Sequence, residues 1–131
     1  MYICFMKFIN LNEIVLKHWI KFNYDVSNAL TYISPHYVFK IEDSIHFKTL
    51  KSGDFTDYNS LITTTNQEEH SEKIFRELIE NFDTNQLKNS KIKIFYDNSI
   101  KKYIVEDGCH RLAIVKYNKI NKVPVEWLKI S

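Results

Sequence analysis

Apolar residues in this chain recur with two periods, and the boundaries between them divide it into elements. From Asn10 onward, Leu11, Ile14, Val15, Trp19 and Phe22 share one helical face, and Val26, Ala29, Leu30 and Ile33 continue that period. This predicts one bent helix or two short ones, ended by Ser34-Pro35. His18 falls on the same face, as a hydrogen-bonded core or boundary histidine. Ahead of it, residues 2–9 are an apolar run that fits a first strand or the lead into the helix. Tyr37 to Phe39 and Ile45 to Leu50 mix β-branched and aromatic residues in short runs and read as strands. Ser52-Gly53-Asp54 signals a turn, with Phe55 to Ile62 following it, and residues 63–67 read as a polar loop.

The clearest helix follows that loop. Ile74, Phe75, Leu78, Ile79 and Phe82 form one apolar stripe opposed by Glu72, Lys73, Arg76, Glu77 and Glu80. Asn66 or Ser71 can cap it, and Glu68, Glu69 and Glu72 crowd its start, where carboxylates suit the helix dipole. Lys91 to Tyr96 then alternates as a strand, and Asp97-Asn98-Ser99 turns it back into Tyr103 to Glu106. Asp107-Gly108 breaks that second strand. Cys109, Leu112, Ala113 and Tyr117 return to helical spacing, and Val123-Pro124-Val125 closes the order as a strand. Helix, strands, helix, hairpin, helix, strand implies an α/β domain: a mixed sheet with helices packed on it.

Length and charge narrow the picture. A chain of 131 residues is one ordinary domain, and only two Gly and two Pro argue against disorder. Eighteen basic residues against sixteen acidic ones leave too small a surplus to argue for nucleic acid. Cys4 and Cys109 give no disulfide framework, and no zinc spacing links them to the five histidines. The apolar opening lacks a basic leader and a cleavage site, and no run reaches membrane-spanning length, so a cytoplasmic protein is expected. Arg76 and Arg111 are the only arginines among mostly Lys cations, and one of them sits just after Gly108.

Strand, Asp107-Gly108 turn and helix together place backbone N–H groups, an imidazole and a guanidinium at the positive end of a helix, a setting suited to phosphate. Gly108 answers a backbone need, either positive φ or close approach of a ligand. The plain alternative for the pair after it is an Arg111 that pairs with a surface Glu and a His110 that packs under the turn. Asp54 and Asp57 read more economically as solvated carboxylates near a turn than as a cation site.

Asp107, Gly108, His110, Arg111, Leu112, Ala113 and Val123-Pro124-Val125 together resemble the signature of the ParB/sulfiredoxin superfamily. The resemblance implies a small ParB/sulfiredoxin-like core over residues 61–131, with residues 1–60 as a helical and strand extension packed on the same domain. It implies that Gly108, Cys109, His110 and Arg111 bind a nucleotide, and that Asp107 binds magnesium or caps the following helix. Members that phosphorylate free serine carry acidic residues just ahead of the preceding helix, and Glu68 and Glu69 stand there. The leading expectation is therefore an ATP-dependent, magnesium-using phosphotransferase acting on a small hydroxylated molecule, with Glu69 or Glu68 as general base. Sulfiredoxins share Gly-Cys-His-Arg, which makes a sulfinic acid reductase with a reactive Cys109 the second reading. Against it, Asp107 replaces a glycine, no Arg precedes Arg76, and Cys109 lies on the apolar side of its helix, where a buried filler suits it. A nucleotide-sensing or interaction module without turnover is the third reading. The DNA-partitioning branch, with its longer motif and attached helix-turn-helix, does not fit.

Overall fold

Ile14, Val15 and Leu16 are almost completely buried, which in a strand requires cover on both faces. Residues 2–64, 71–83 and 92–130 are described in a computed structural model, with side chains for 8–64, 71–83 and 92–126. The strands are β1 (Tyr2–Asn10), β2 (Ile14–His18), β3 (Thr31–Ile33), β4 (His36–Lys40), β5 (Lys93–Asp97), β6 (Lys102–Asp107) and β7 (Lys122–Ile130). The helices are α1 (Ile45–Ser52), α2 (Thr56–Thr64), α3 (Glu72–Glu80) and α4 (Cys109–Tyr117). The seven strands form one mixed sheet in the order β1-β7-β5-β6-β2-β4-β3, giving a small mixed α/β domain. None of the helices is long and apolar enough to cross a membrane, among the described residues.

β7, β5 and β6, from residues 61–131, lie side by side between β1 and β2, from residues 1–60. β1 pairs antiparallel with β7 over nine residues, and β2 pairs in parallel with β6 through Ile14 with Tyr103 and Val15 with Ile104. The larger core cluster lies on one face and includes Ile14, Leu16, Ile94, Val105, Leu112 and Val125. The opposite parity, Val15, Val38 and Ile104, forms a second small cluster with Phe95 and Ile100. A third cluster joins α1, α2, α3 and α4 through Ile45, Tyr58, Phe75 and Ile114.

Two expected elements are of the other type. Residues 10–33 hold no α-helix: Leu11–Glu13 is a single 3-10 turn, β2 follows, and the chain from Trp19 is irregular up to β3. Leu11, Ile14 and Val15 mimic a helical face because a strand buried on both sides is apolar at every position, so its period is hidden. Ser34-Pro35 accordingly lies in the turn between β3 and β4 rather than ending a helix.

Residues 45–50, expected as a strand, are helix α1. Ser44 caps it, accepting a hydrogen bond from the Phe47 amide at 3.1 Å and donating to the Ile41 carbonyl at 2.7 Å. Gly53, at φ 75°, closes it in the left-handed conformation. Those caps, with Ile45, His46 and Thr49 buried on one face, outweigh the strand propensity of Ile45 and Phe47.

Other expectations match. β4, β5, β6, α4 and β7 occur where the pattern put them, and β5 and β6 form the antiparallel hairpin. α3 is capped by Ser71, with Phe75 buried and Ile74 38% exposed. Asp54 accepts from both the amide and the hydroxyl of Thr56 at the start of α2, an exposed turn carboxylate.

Ser44 is fully buried and satisfies both a helix amide and a loop carbonyl. Ser44→Ala is expected to destabilise the chain by about 1–2 kcal/mol, read as a lower urea midpoint with an unchanged slope. A neutral substitution would show that the cap contributes nothing.

Candidate functional site

β2 and β6 run in parallel, so their carboxyl ends open on the same side of the sheet. From β6 the chain leaves through α4 toward β7, while from β2 it leaves toward β3 and β4 on the other side. Where connections part in this way, a crevice opens at the strand ends, and α/β sheets generally bind ligands there. A cleft of about 450 Å³ lies at this position, lined from β6 and α4 by Glu106, Asp107, Gly108, Cys109, His110 and Arg111. Its other wall comes from residues 17–46, with Lys17, His18, Trp19, His36 and His46.

The turn at its centre depends on Gly108. This residue caps α4 at φ 118°, and a Cβ there would stand 3.0 Å from Ile92 Cγ1 and 3.3 Å from Ile92 Cα. Both conditions demand glycine. No side chain caps α4, so Asp107, exposed beside the cleft, does not play the capping role open to it. The first-turn amides of α4 lack helical acceptors by construction, and the dipole makes that end attractive to an anion.

The cations differ in how they are engaged. Lys17 pairs with Glu106 at 2.9 Å, which matches the β2–β6 register carried two residues beyond Val15 and Ile104. Arg76 is engaged structurally, bound to Glu72 at 2.8 Å and lying 4.1 Å over the Phe55 ring. Arg111 is half-buried in the cleft wall and has no carboxylate partner among the described residues. The surface ion pair open to it is thus absent from the described residues.

His110 takes a different position from a simple phosphate ligand. Its Nε2 lies 2.7 Å from the Tyr58 hydroxyl, and its ring meets Phe75 and His46 edge-on, at centroid distances of 4.9 and 4.4 Å. It packs under the turn, and burial raises the pKa of its partner Tyr58. His46 continues the stack to His18 at 4.8 Å. His18 is buried but sits on a strand, and its Nε2 has no hydrogen-bond partner among the described residues. Burial, assisted by neighbouring His36, lowers its pKa from 6.5 to about 4.

Cys109 is half-buried and packs against the main core cluster. Burial pushes its thiol up to about 12, outweighing the lowering influence of nearby Lys17. That shift disfavours a thiolate at this helix end, and the contact with the core cluster suits a filler. Cys4 lies outside the described side chains.

No family model, curated protein or solved structure matches this chain.

The site thus joins Asp107, Gly108, Cys109, His110 and Arg111 around one cleft, while Glu68 and Glu69 lie outside the described residues. For magnesium, the described residues contain no group of three ligating side chains. An ion carried in by phosphates requires only one or two carboxylates, and exposed Asp107 meets that smaller demand. Lys17, Trp19, His36 and His46 were not identifiable as site residues, because they reach the cleft by sheet pairing and by a helix expected as a strand.

Two outcomes test this geometry. Gly108→Ala is expected to cost about 2–4 kcal/mol, combining a positive φ with the Ile92 contact, and to move the α4 amide resonances. For His18, the unfolded chain binds a proton below pH 6.5 whereas the fold does so only near pH 4. Its neutral form therefore stabilises the fold above pH 6.5, and that contribution is lost as pH falls toward 4, by up to about 3 kcal/mol. Urea titrations of the wild type and His18→Phe should diverge across this window, and an imidazole titrating near 6.5 by NMR would contradict the burial argument.

Proposed function

We propose that the protein binds a nucleoside triphosphate in this cleft, with its phosphates at the start of α4, and transfers the terminal phosphoryl group to a small hydroxylated molecule. The observation carrying the proposal is Arg111: a half-buried guanidinium without a carboxylate partner among the described residues, in the first turn of an uncapped helix. A half-buried guanidinium that keeps its donors free of carboxylate can accept a phosphate as counter-charge through bidentate hydrogen bonds. The ParB/sulfiredoxin resemblance of Asp107 to Ala113 supports the choice of a nucleotide.

In this reading Gly108 lets phosphate oxygens approach the backbone, and the first amides of α4 and Arg111 offset charge developing on the transferred group. His110 acts as a positioning residue, held by Tyr58, that supports the turn from below. Asp107 would hold magnesium, which supplies charge neutralisation on the phosphates when bound. The acceptor hydroxyl loses its proton to a carboxylate, assigned to Glu69 or Glu68, as its oxygen bonds to the terminal phosphorus and the nucleoside diphosphate leaves. A reductase reading finds no support in a thiol held protonated.

The test is calorimetric titration with ATP, ADP, CTP and pyrophosphate, with and without magnesium, followed by measurement of ADP release in the presence of free serine and simple sugars. Arg111→Ala is expected to weaken nucleotide binding at least about tenfold while leaving the fold intact. Absence of binding by every one of these ligands would sink the proposal, and binding without ADP release would reduce it to a sensing module.

A further inference from the structure

We infer that Trp19 is a stacking platform for the base of the bound nucleotide, which makes the cleft selective for a nucleoside phosphate over a bare polyphosphate. The inference rests on the phosphate site proposed at Arg111 and extends it to the other end of the ligand.

Trp19 is the first residue beyond β2, and the β2–β6 register continues through the Lys17–Glu106 ion pair. Trp19 and Gly108 are the first residues beyond the carboxyl ends of these two parallel strands. It lines the same cleft as Gly108 and Arg111. It is also 38% exposed; Phe8, Tyr32, Tyr96 and Tyr117 are more exposed, but of these five aromatics only Trp19 lines the cleft.

One partner is already present on the ring. The Lys21 ammonium lies 3.7 Å from its centroid, a cation–π contact made by an exposed lysine. The partly exposed indole on the cleft wall thus already takes a flat π contact with a cation on a flexible stem. A ligand complementary to both ends needs an anionic group for the start of α4 and a flat π surface for the indole. A nucleoside phosphate has both, and Lys21 can move from the ring toward phosphate as the base takes its place. A purine covers more of an indole than a pyrimidine does, so ATP is favoured over CTP. The cleft volume of about 450 Å³ lies within the range of roughly 300–1,000 Å³ usual for small-molecule sites.

The experiment compares ATP with inorganic tripolyphosphate by calorimetry on the full chain, using wild type, Trp19→Ala, Trp19→Phe and Arg111→Ala. Wild type is expected to bind ATP more tightly than tripolyphosphate. Trp19→Ala should weaken ATP about tenfold or more and change tripolyphosphate less than about twofold, with Trp19→Phe retaining most of the ATP affinity. Trp19→Phe, which keeps a ring at this partly exposed position, should stay close to the wild-type melting temperature. Equal losses for the two ligands, or none, would overturn the stacking role while leaving the phosphate site standing. Tripolyphosphate binding unaffected by Arg111→Ala would overturn the phosphate site, and the stacking inference with it.

Discussion

The parallel pairing of β2 with β6 is the constraint on which the rest of this molecule depends. It joins Ile14 and Val15 to Tyr103 and Ile104 across some ninety residues of chain, a long loop to close before any contact compensates for it. Burial on both faces supplies that compensation, since Ile14 and Leu16 enter one cluster and Val15 the other. With β2 inside the sheet, β4 and β3 extend it on one side while β6, β5, β7 and β1 extend it on the other. The cleft is a direct product of this pairing, because it lies where two parallel strands end and their continuations part.

The cleft also divides its labour between sources of rigidity. Gly108 is held by Ile92 below it, which fixes the direction of α4 and its amides. Beneath α4, the stack of His18, His46 and His110 replaces what an apolar core would supply, with Tyr58 holding the last imidazole. For His18, burial as a neutral imidazole is compatible with stability near neutral pH and becomes unfavourable as the ring is forced to charge. Polar groups are thus concentrated near the candidate ligand site, while the remaining core is almost wholly aliphatic and aromatic.

Elements governed by local signals were legible in the sequence. The β5–β6 hairpin follows from alternation around Asp97-Asn98-Ser99, and α3 from one apolar stripe with Ser71 before it. The Gly108 turn and α4 follow from a strand broken by glycine and resumed at helical spacing. β2 and α1 were not legible in the same way. In β2 a doubly buried strand erases its own period, and in α1 two caps, Ser44 and Gly53, overrule the propensities of the residues between them. Mistaking those two elements also concealed Lys17, His18, Trp19 and His46, which form the second wall of the cleft.

By itself, then, the sequence determined the mixed α/β class, the position of the helix start at Gly108 and the candidate anion-binding residues around Arg111. These depend on contacts within a few residues, where spacing and glycine chemistry act directly. Only the tertiary structure decided that His110 meets the Tyr58 hydroxyl, that burial pushes the Cys109 thiol up, and that Trp19 lines the cleft. Each of those outcomes depends on which distant segment packs alongside. Long-range pairing sets burial, and burial sets both the direction of a side chain and its state of charge.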